Sequence, residues 1–317
     1  MTQIYTLDQI KQARRTIDVA PLIEAGFAAY SEGKVVVPPV GELSFIDPPG
    51  DTHIKYGYIK DDDSFVVKIA SGFYDNPGLS LPSNSGLMLV FSQKTGILQA
   101  ILLDEGFLTD VRTAVAGMIA AKYLAPENVD AIGIVGTGIQ ARMQAAELKA
   151  VTTCRKMIVW GRHEDKLDAY RRDMEQEGFH VETTTDAARV AAGCNLIVTS
   201  TPSQVPLLMA DQIRPGTHIT AMGADTPAKQ ELDPQILARA DLVVADSIPQ
   251  CLERGEIAKT IEAGWLEKDR IVELGSIIKG HARGRTDDSQ ITVADLTGVA
   301  VQDIQIAKAV CSALNED

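Results

Sequence analysis

Lys68, Arg112 and Asp225 carry charges that their sequence neighbours do not explain. Lys68 lies in Phe65-Val-Val-Lys-Ile-Ala70, where period-two alternation puts it on the face of Val66 and Ala70, opposite Phe65, Val67 and Ile69. An ammonium there either snorkels to water, the ordinary fate of a strand lysine, or meets an anion. Arg112 falls in the first turn of a predicted helix, Val111 to Leu124, that is otherwise rich in small residues. The helix dipole disfavours a cation at that end. Asp110 is one available partner; the other is a bound carboxylate held by both the guanidinium fork and the helix N-terminus. Asp225 follows Gly223-Ala224 beyond a predicted strand, His218–Ala221, so its carboxylate would face a cleft between domains. Capping Thr226 or a helix start explains it equally well on position alone.

A glycine turn supplies the surroundings for this chemistry. The apolar run Ala131-Ile-Gly-Ile-Val135 empties into Gly136-Thr137-Gly138-Ile139-Gln140-Ala141 and a helical stretch to Ala150. The first glycine makes the tight turn, the second leaves backbone open to a pyrophosphate, and small Ala141 lets helix approach strand. Free N–H groups at the helix start complete a dinucleotide-binding turn. Strands predicted at Met157–Trp160, Leu196–Thr199, His218–Ala221 and Leu242–Ala245 alternate with the helical segments Asp165–Gln176 and Asp233–Ala238. That alternation means a parallel, doubly wound α/β sheet, with ligands beyond the strand ends. Thr199 and Ser200 stand at one such end and Met222, Gly223 and Ala224 at another, so all five are assigned to the cofactor; Asp246 reads as a helix cap. A ribose-binding acid is expected about 20 residues past the glycines. The chain reads Gly161-Arg162-His163 instead, so Arg162 either accepts a 2′-phosphate or stacks on adenine, and both NAD(H) and NADP(H) stay open.

Residues before about 108 have a different pattern. A helix is predicted from Ile17 to Ser31, then strands at Val35–Val37, Leu43–Ile46, His53–Tyr58 and Phe65–Ala70, broken by Pro38-Pro39 and Pro48-Pro49-Gly50. Leu87–Phe91 and Ile97–Leu103 form a hairpin around Ser92–Gly96. We expect residues 1–112 to be one domain and 113–298 the nucleotide domain. The helix over about 299–317, and the strand Ile291–Ala294 before it, are expected to return to the first domain. The net charge of -13, from 30 Lys and Arg against 43 Asp and Glu, would repel a phosphate backbone, so nucleic acid is excluded as a partner. Cys154, Cys194, Cys251 and Cys311 have no metal or disulfide spacing. No run is apolar enough for a membrane span, and we expect a soluble cytoplasmic protein.

Taken together, these positions resemble the ornithine cyclodeaminase/mu-crystallin family of nicotinamide-dependent enzymes. The resemblance runs through Lys68, Asn76-Pro-Gly-Leu-Ser-Leu-Pro82, Thr95-Gly96, Leu108-Thr-Asp-Val-Arg-Thr-Ala114 and Gly136-Thr-Gly-Ile-Gln140. It continues through Gly223-Ala-Asp225 with Lys229, Glu231-Leu-Asp233, Gly255-Glu-Ile257 and Gly298-Val-Ala-Val-Gln-Asp303. It implies a Rossmann-type domain beside a mainly antiparallel α+β domain that binds substrate and makes a homodimer. It also implies that Lys68 and Arg112 hold a substrate carboxylate, that Asp225 faces the substrate nitrogen, and that Ser83 is a hydrogen-bonding residue. Thr297-Gly298 would lie near the nicotinamide, and Lys229 is grouped with the cofactor residues.

The chain departs from the family where Pro38-Pro39 is followed by Val40-Gly41-Glu42, since members often carry an arginine there. A different acid side chain is then accommodated. His53 and Lys55 share one strand face and are candidates for a second substrate carboxylate, against the alternative of an exposed polar face. The segment from His53 through Arg112 is most similar to the subgroup that reduces iminosuccinate to aspartate. Reduction of a cyclic ketimine, alanine dehydrogenation, ornithine cyclodeamination and a non-enzymatic nucleotide-binding module remain the alternatives.

Overall fold

The computed structural model describes residues 1–73 and 75–316, without the side chains of residues 77 and 316. Tyr74, in the segment shared with the family, and Asp317, at the end of the predicted C-terminal helix, lie outside the described residues. The chain divides into two compact units, Met1–Thr113 with the segment from Val299 onward, and Ala114–Gly298.

The first unit contains β1 (Gln3–Tyr5), α1 (Leu7–Arg14), α2 (Ala20–Ser31), β2 (Val35–Val36), β3 (Gly41–Phe45), β4 (Gly50–Ile59), β5 (Ser64–Phe73), β6 (Asn84–Ser92) and β7 (Leu98–Leu102), and α3 (Phe107–Leu124) starts within it. Its sheet runs β1-β7-β6-β5-β4-β2, with β3 also paired to β4. Among the described residues β1–β7 is a parallel pair and the other pairs of this sheet are antiparallel. The sharp reversal between β6 and β7 uses Gly96 at φ +70°, a conformation glycine adopts without steric cost. Helix α2 begins at Ala20 rather than Ile17, because Pro21 can occupy only its first turn.

The second unit is a single eight-stranded parallel sheet flanked by helices, plus a two-stranded ribbon. Its elements are β8 (Ile132–Val135), α4 (Ile139–Glu147), β9 (Lys156–Trp160), α5 (Glu164–Gln176), β10 (His180–Thr184), α6 (Ala187–Gly193), β11 (Leu196–Thr199), β12 (Gln204–Leu208), β13 (His218–Ala221), β14 (Gln230–Leu232), α7 (Pro234–Arg239), β15 (Leu242–Ala245), α8 (Ile248–Cys251), α9 (Gly255–Glu262), β16 (Ile271–Glu273), α10 (Leu274–Ile278) and β17 (Thr292–Asp295). The order β10-β9-β8-β11-β13-β17-β15-β16 reverses direction between β8 and β11. This is the Rossmann-type doubly wound arrangement, and the reversal is where such sheets bind ligands. The expected placement of Ile291–Ala294 is corrected: β17 lies between β13 and β15, inside this parallel sheet. Its residues are buried on both faces, as an interior parallel strand requires.

The chain ends in α11 (Ala300–Glu316), which packs on α1, α2, β4, β5 and β6 of the first unit. Val301, Ile304, Ile306, Ala307 and Val310 are fully buried. Each such aliphatic side chain larger than alanine stabilises the contact by roughly 1.5–3 kcal/mol. The helix covers the sheet face that carries Val66, Lys68 and Met88, while Phe65, Val67 and Ile69 on the opposite face are only half-buried.

Candidate active site

In the first unit, α11 brings Asp303 to both cations that the sequence singled out. Lys68 Nζ lies 3.1 Å from each Asp303 oxygen, and Arg112 Nε donates to Asp303 Oδ1 at 3.0 Å. Arg112 Nη1 also donates to Gln302 Oε1 at 3.2 Å. Lys68 is 2% exposed and Arg112 6%, so neither snorkels to water. Burial lowers the Lys68 pKa to about 7, helped by repulsion from Arg112, against the attraction of Asp303. Burial pushes the Asp303 carboxyl up, but Lys68, Arg112 and Lys55 outweigh it and hold the group below the usual carboxylate range. At neutral pH the arrangement is therefore a carboxylate firmly paired with Arg112, beside an amine poised to gain a proton.

Two expectations about this region change. Helix α3 starts at Phe107, with Asp104 Oδ2 accepting from Leu108 N at 2.8 Å. Arg112 thus sits in the second turn, beyond the first-turn dipole effect. Its negative partner is Asp303, some 190 residues away in sequence. Lys55 is also not on an exposed polar face: it is 7% exposed and faces Lys68 across the β4–β5 register. His53, two residues along the same strand face, has Nε2 at 3.8 Å from Glu42 Oε1 on β3. Glu42 follows the proline pair, so an acid stands beside His53. Ser83 is half-buried just before β6, and its carbonyl accepts from Phe73 N at 2.8 Å.

In the second unit, Gly136 closes the turn after β8 at φ +126°, and a Cβ there would lie 3.0 Å from Ser200 Oγ. Gly138 is the N-cap of α4, and a Cβ on it would meet nothing within 4 Å. The turn therefore offers bare backbone and the N-terminal end of α4 to an approaching ligand, which fits a dinucleotide pyrophosphate. Arg142 braces the turn, donating to the Thr137 carbonyl, pairing with Asp173 at 2.7 Å and lying over the Tyr170 ring. Arg162 is exposed just beyond β9.

The loops after β11 and β13 are tied together beneath their surface by Glu231. Its carboxylate accepts from Thr199 Oγ1 at 2.7 Å, Thr201 N at 2.6 Å and Gly223 N at 2.9 Å. The Thr199 side chain is consequently buried and turned to Glu231. Ser200, Met222 and Gly223 are half-buried, whereas Ala224 is covered. No helix starts at Asp225, and Lys229 Nζ donates to its Oδ1 at 2.6 Å. Asp246 is not the cap of α8, which is Ser247. Its carboxylate accepts from Gly298 N at 2.7 Å and Thr297 Oγ1 at 3.1 Å, fixing the loop after β17.

Asp303, Glu231 and Asp246 were not singled out as functional from the sequence. Asp303 is the one acid in the mainly apolar segment Val299–Val310, which also holds Gln302, Gln305 and Lys308, and that was the available sign for it. Glu231 and Asp246 carry no comparable sign, because their partners come from distant loops. Among the described residues no group of His, Cys, Asp and Glu is placed to hold a metal, and no helix is long and apolar enough to cross a membrane.

Comparison with known proteins places these features among relatives. An uncharacterised cyclodeaminase of Sinorhizobium fredii is 42% identical over 294 residues, spanning 92% of this chain and 89% of the relative. The iminosuccinate reductase of Paracoccus denitrificans is 33% identical over 91% of this chain and 89% of its own length. Its crystal structure with NAD+ matches with a TM-score of 0.87 at 30% identity, covering 99% of this chain and 97% of that one. An archaeal alanine dehydrogenase dimer with bound NAD matches with a TM-score of 0.91 at 31% identity, covering 99% and 96%. The family model for ornithine cyclodeaminase and mu-crystallin matches residues 1–317. The chain belongs to the ornithine cyclodeaminase/mu-crystallin family.

Proposed function

We propose that this protein is a nicotinamide-dependent oxidoreductase of imino and amino acids, and that it reduces iminosuccinate to L-aspartate. The observation that carries the reading is the buried pair of Lys68 and Arg112 gathered on the Asp303 carboxylate. Two buried cations on one carboxylate favour a second anion, and a substrate carboxylate supplies it.

Arg112 and Lys68 orient the substrate carboxylate and thereby the adjacent carbon, which is catalysis by positioning. Ser83 adds a hydrogen bond, and His53 with Lys55 takes the second carboxylate. Asp225 offsets the iminium charge and relays its proton, with Lys229 paired to it. A bound nicotinamide dinucleotide supplies the hydride that the imine carbon receives. Gly136, Thr137, Gly138, Ile139 and Gln140 would hold its pyrophosphate, Arg162 its adenosine end, and Ser200, Met222, Gly223, Thr297 and Gly298 its nicotinamide half. Either NADH or NADPH suits Arg162, since Glu164 and Asp165 follow it closely and oppose its charge.

A homodimer through the first unit agrees with its uncovered apolar face. Leu43, Phe45, Tyr56 and Tyr58 are exposed on β3 and β4, alongside half-buried Phe65, Val67 and Ile69. The alanine dehydrogenase neighbour is itself a dimer. We assign the protein to the cytoplasm.

A second reading, reduction of a monocarboxylic imine such as that of pyruvate, is favoured by Glu42, whose carboxylate beside His53 offsets the charge needed for a second anion. Coenzyme oxidation measured with oxaloacetate plus ammonia, pyruvate plus ammonia and a cyclic imine decides between them. An ornithine assay for released ammonia runs beside it. Turnover restricted to the pyruvate mixture, or ammonia release from ornithine alone, would overturn the iminosuccinate assignment.

A further inference from the structure

Glu231 is fully buried, on the short strand β14, and three donors converge on it. Thr199 Oγ1 and Thr201 N come from the loop after β11, and Gly223 N comes from the loop after β13. Those strands are neighbours in the parallel sheet, pairing Thr199 with Ala221 at their carboxyl ends. The approach is so close that a Cβ on Gly223 would clash with Glu231 Oε2 and with the Thr201 carbonyl. Glu231 is itself anchored, since its own N–H and that of Leu232 donate to Glu256 at 2.7 and 3.2 Å. Burial raises both carboxyls, Glu231 to about 7, while the hydrogen bonds from Thr199, Thr201 and Gly223 favour its ionised form. A group this buried and this fully hydrogen-bonded fixes the relative position of whatever it bridges.

We propose that Glu231 is a positioning residue for the nicotinamide half of the coenzyme, joining the loops after β11 and β13 into one rim and thereby setting Asp225. The inference rests on the coenzyme reading above. In a doubly wound sheet the two mononucleotide halves bind on opposite sides of the strand reversal. The glycine turn and Arg162 lie on the β8–β9 side, and the Glu231-bridged loops lie on the β11–β13 side. Loss of the bridge should therefore loosen the nicotinamide end and leave the adenosine and pyrophosphate end unaffected.

Glu231→Gln tests this while keeping size and shape. One amide nitrogen must then face an N–H or hydroxyl donor, so at least one of the three bridges is lost. The binding of NADH and of ADP-ribose, which lacks the nicotinamide, is measured by calorimetry on the whole protein. We expect the Kd for NADH to rise by at least ~10-fold and that for ADP-ribose to stay within ~2-fold. Thr199→Val, which removes one donor only, should shift NADH binding in the same direction by less, and it stands in if the Gln variant does not fold. Equal weakening for both ligands, or unchanged NADH binding by either folded variant, would overturn the proposal. If the unmodified protein binds ADP-ribose but neither NADH nor NADPH, the coenzyme reading fails instead.

Discussion

Lys68 should make carboxylate binding pH-dependent in a range where ordinary lysines are silent. Its pKa falls from 10.5 to about 7 because burial and the neighbouring Arg112 disfavour its charge. A substrate carboxylate arriving at ~4 Å adds an attraction of ~4 kcal/mol at an effective dielectric constant of ~20. At about 1.36 kcal/mol per pKa unit, that returns Lys68 by ~3 units toward its ordinary value. Binding above neutral pH therefore draws a proton from solvent. The inhibition constant of succinate, a dicarboxylate whose own acid groups titrate well below this range, should weaken ~10-fold per unit between about pH 7 and pH 9. Calorimetry in buffers of different ionisation enthalpy should register uptake of nearly one proton at about pH 8.5. Lys68→Met should flatten the profile at the weak-binding end, whereas His53→Gln should leave the slope intact. A flat profile in the unmodified protein, or a slope that survives Lys68→Met, would refute the placement of this amine against the substrate carboxylate. The linkage to folding has the opposite sign. The unfolded chain binds more protons between pH 7 and 10.5, so the stability penalty from Lys68 is full below pH 7 and fades as pH rises through that window.

Arg112→Ala and Lys68→Ala should each lower kcat/KM by at least ~100-fold, since each removes a charge-assisted contact that orients substrate, with coenzyme affinity nearly unchanged; turnover like that of the unmodified enzyme would remove that residue from the site. Asp225→Asn should abolish most imine reduction through kcat at a nearly unchanged melting temperature, because its half-exposed pairing with Lys229 contributes only ~0–1 kcal/mol to stability; a destabilised but active variant would sink the catalytic assignment. Arg162→Ala should shift preference from NADPH toward NADH, and an unchanged ratio of the two kcat/KM values would show that the guanidinium does not read the 2′-phosphate.

Most of the local elements, and the chemistry-bearing residues on them, were legible in the order of residues alone. An apolar strand ending in Gly136-Thr-Gly138 leaves few conformations but a strand–turn–helix, and the alternating segments after it can bury their apolar faces only in a doubly wound sheet. Lys68 and Arg112 stood out because a cation among apolar neighbours must either reach water or meet an anion. Partners distant in the chain were decided by tertiary structure alone. Asp303 reaches both cations because α11 returns to cover the lysine face of β5, a choice of face that period-two alternation cannot make. Without that return, Asp110 was the nearest acid, and the capping by Asp104 that lengthens α3 by a turn went unread. β10 and α6 were missed because their short, mixed segments carry little periodicity and are held by pairing with β9 and packing beside it. Glu231 and Asp246 acquire their roles only when sheet order brings the loops after β11, β13 and β17 together. Backbone periodicity and turn chemistry act over a few residues and are written locally; compensation of a buried charge depends on which distant group folding delivers within hydrogen-bond reach.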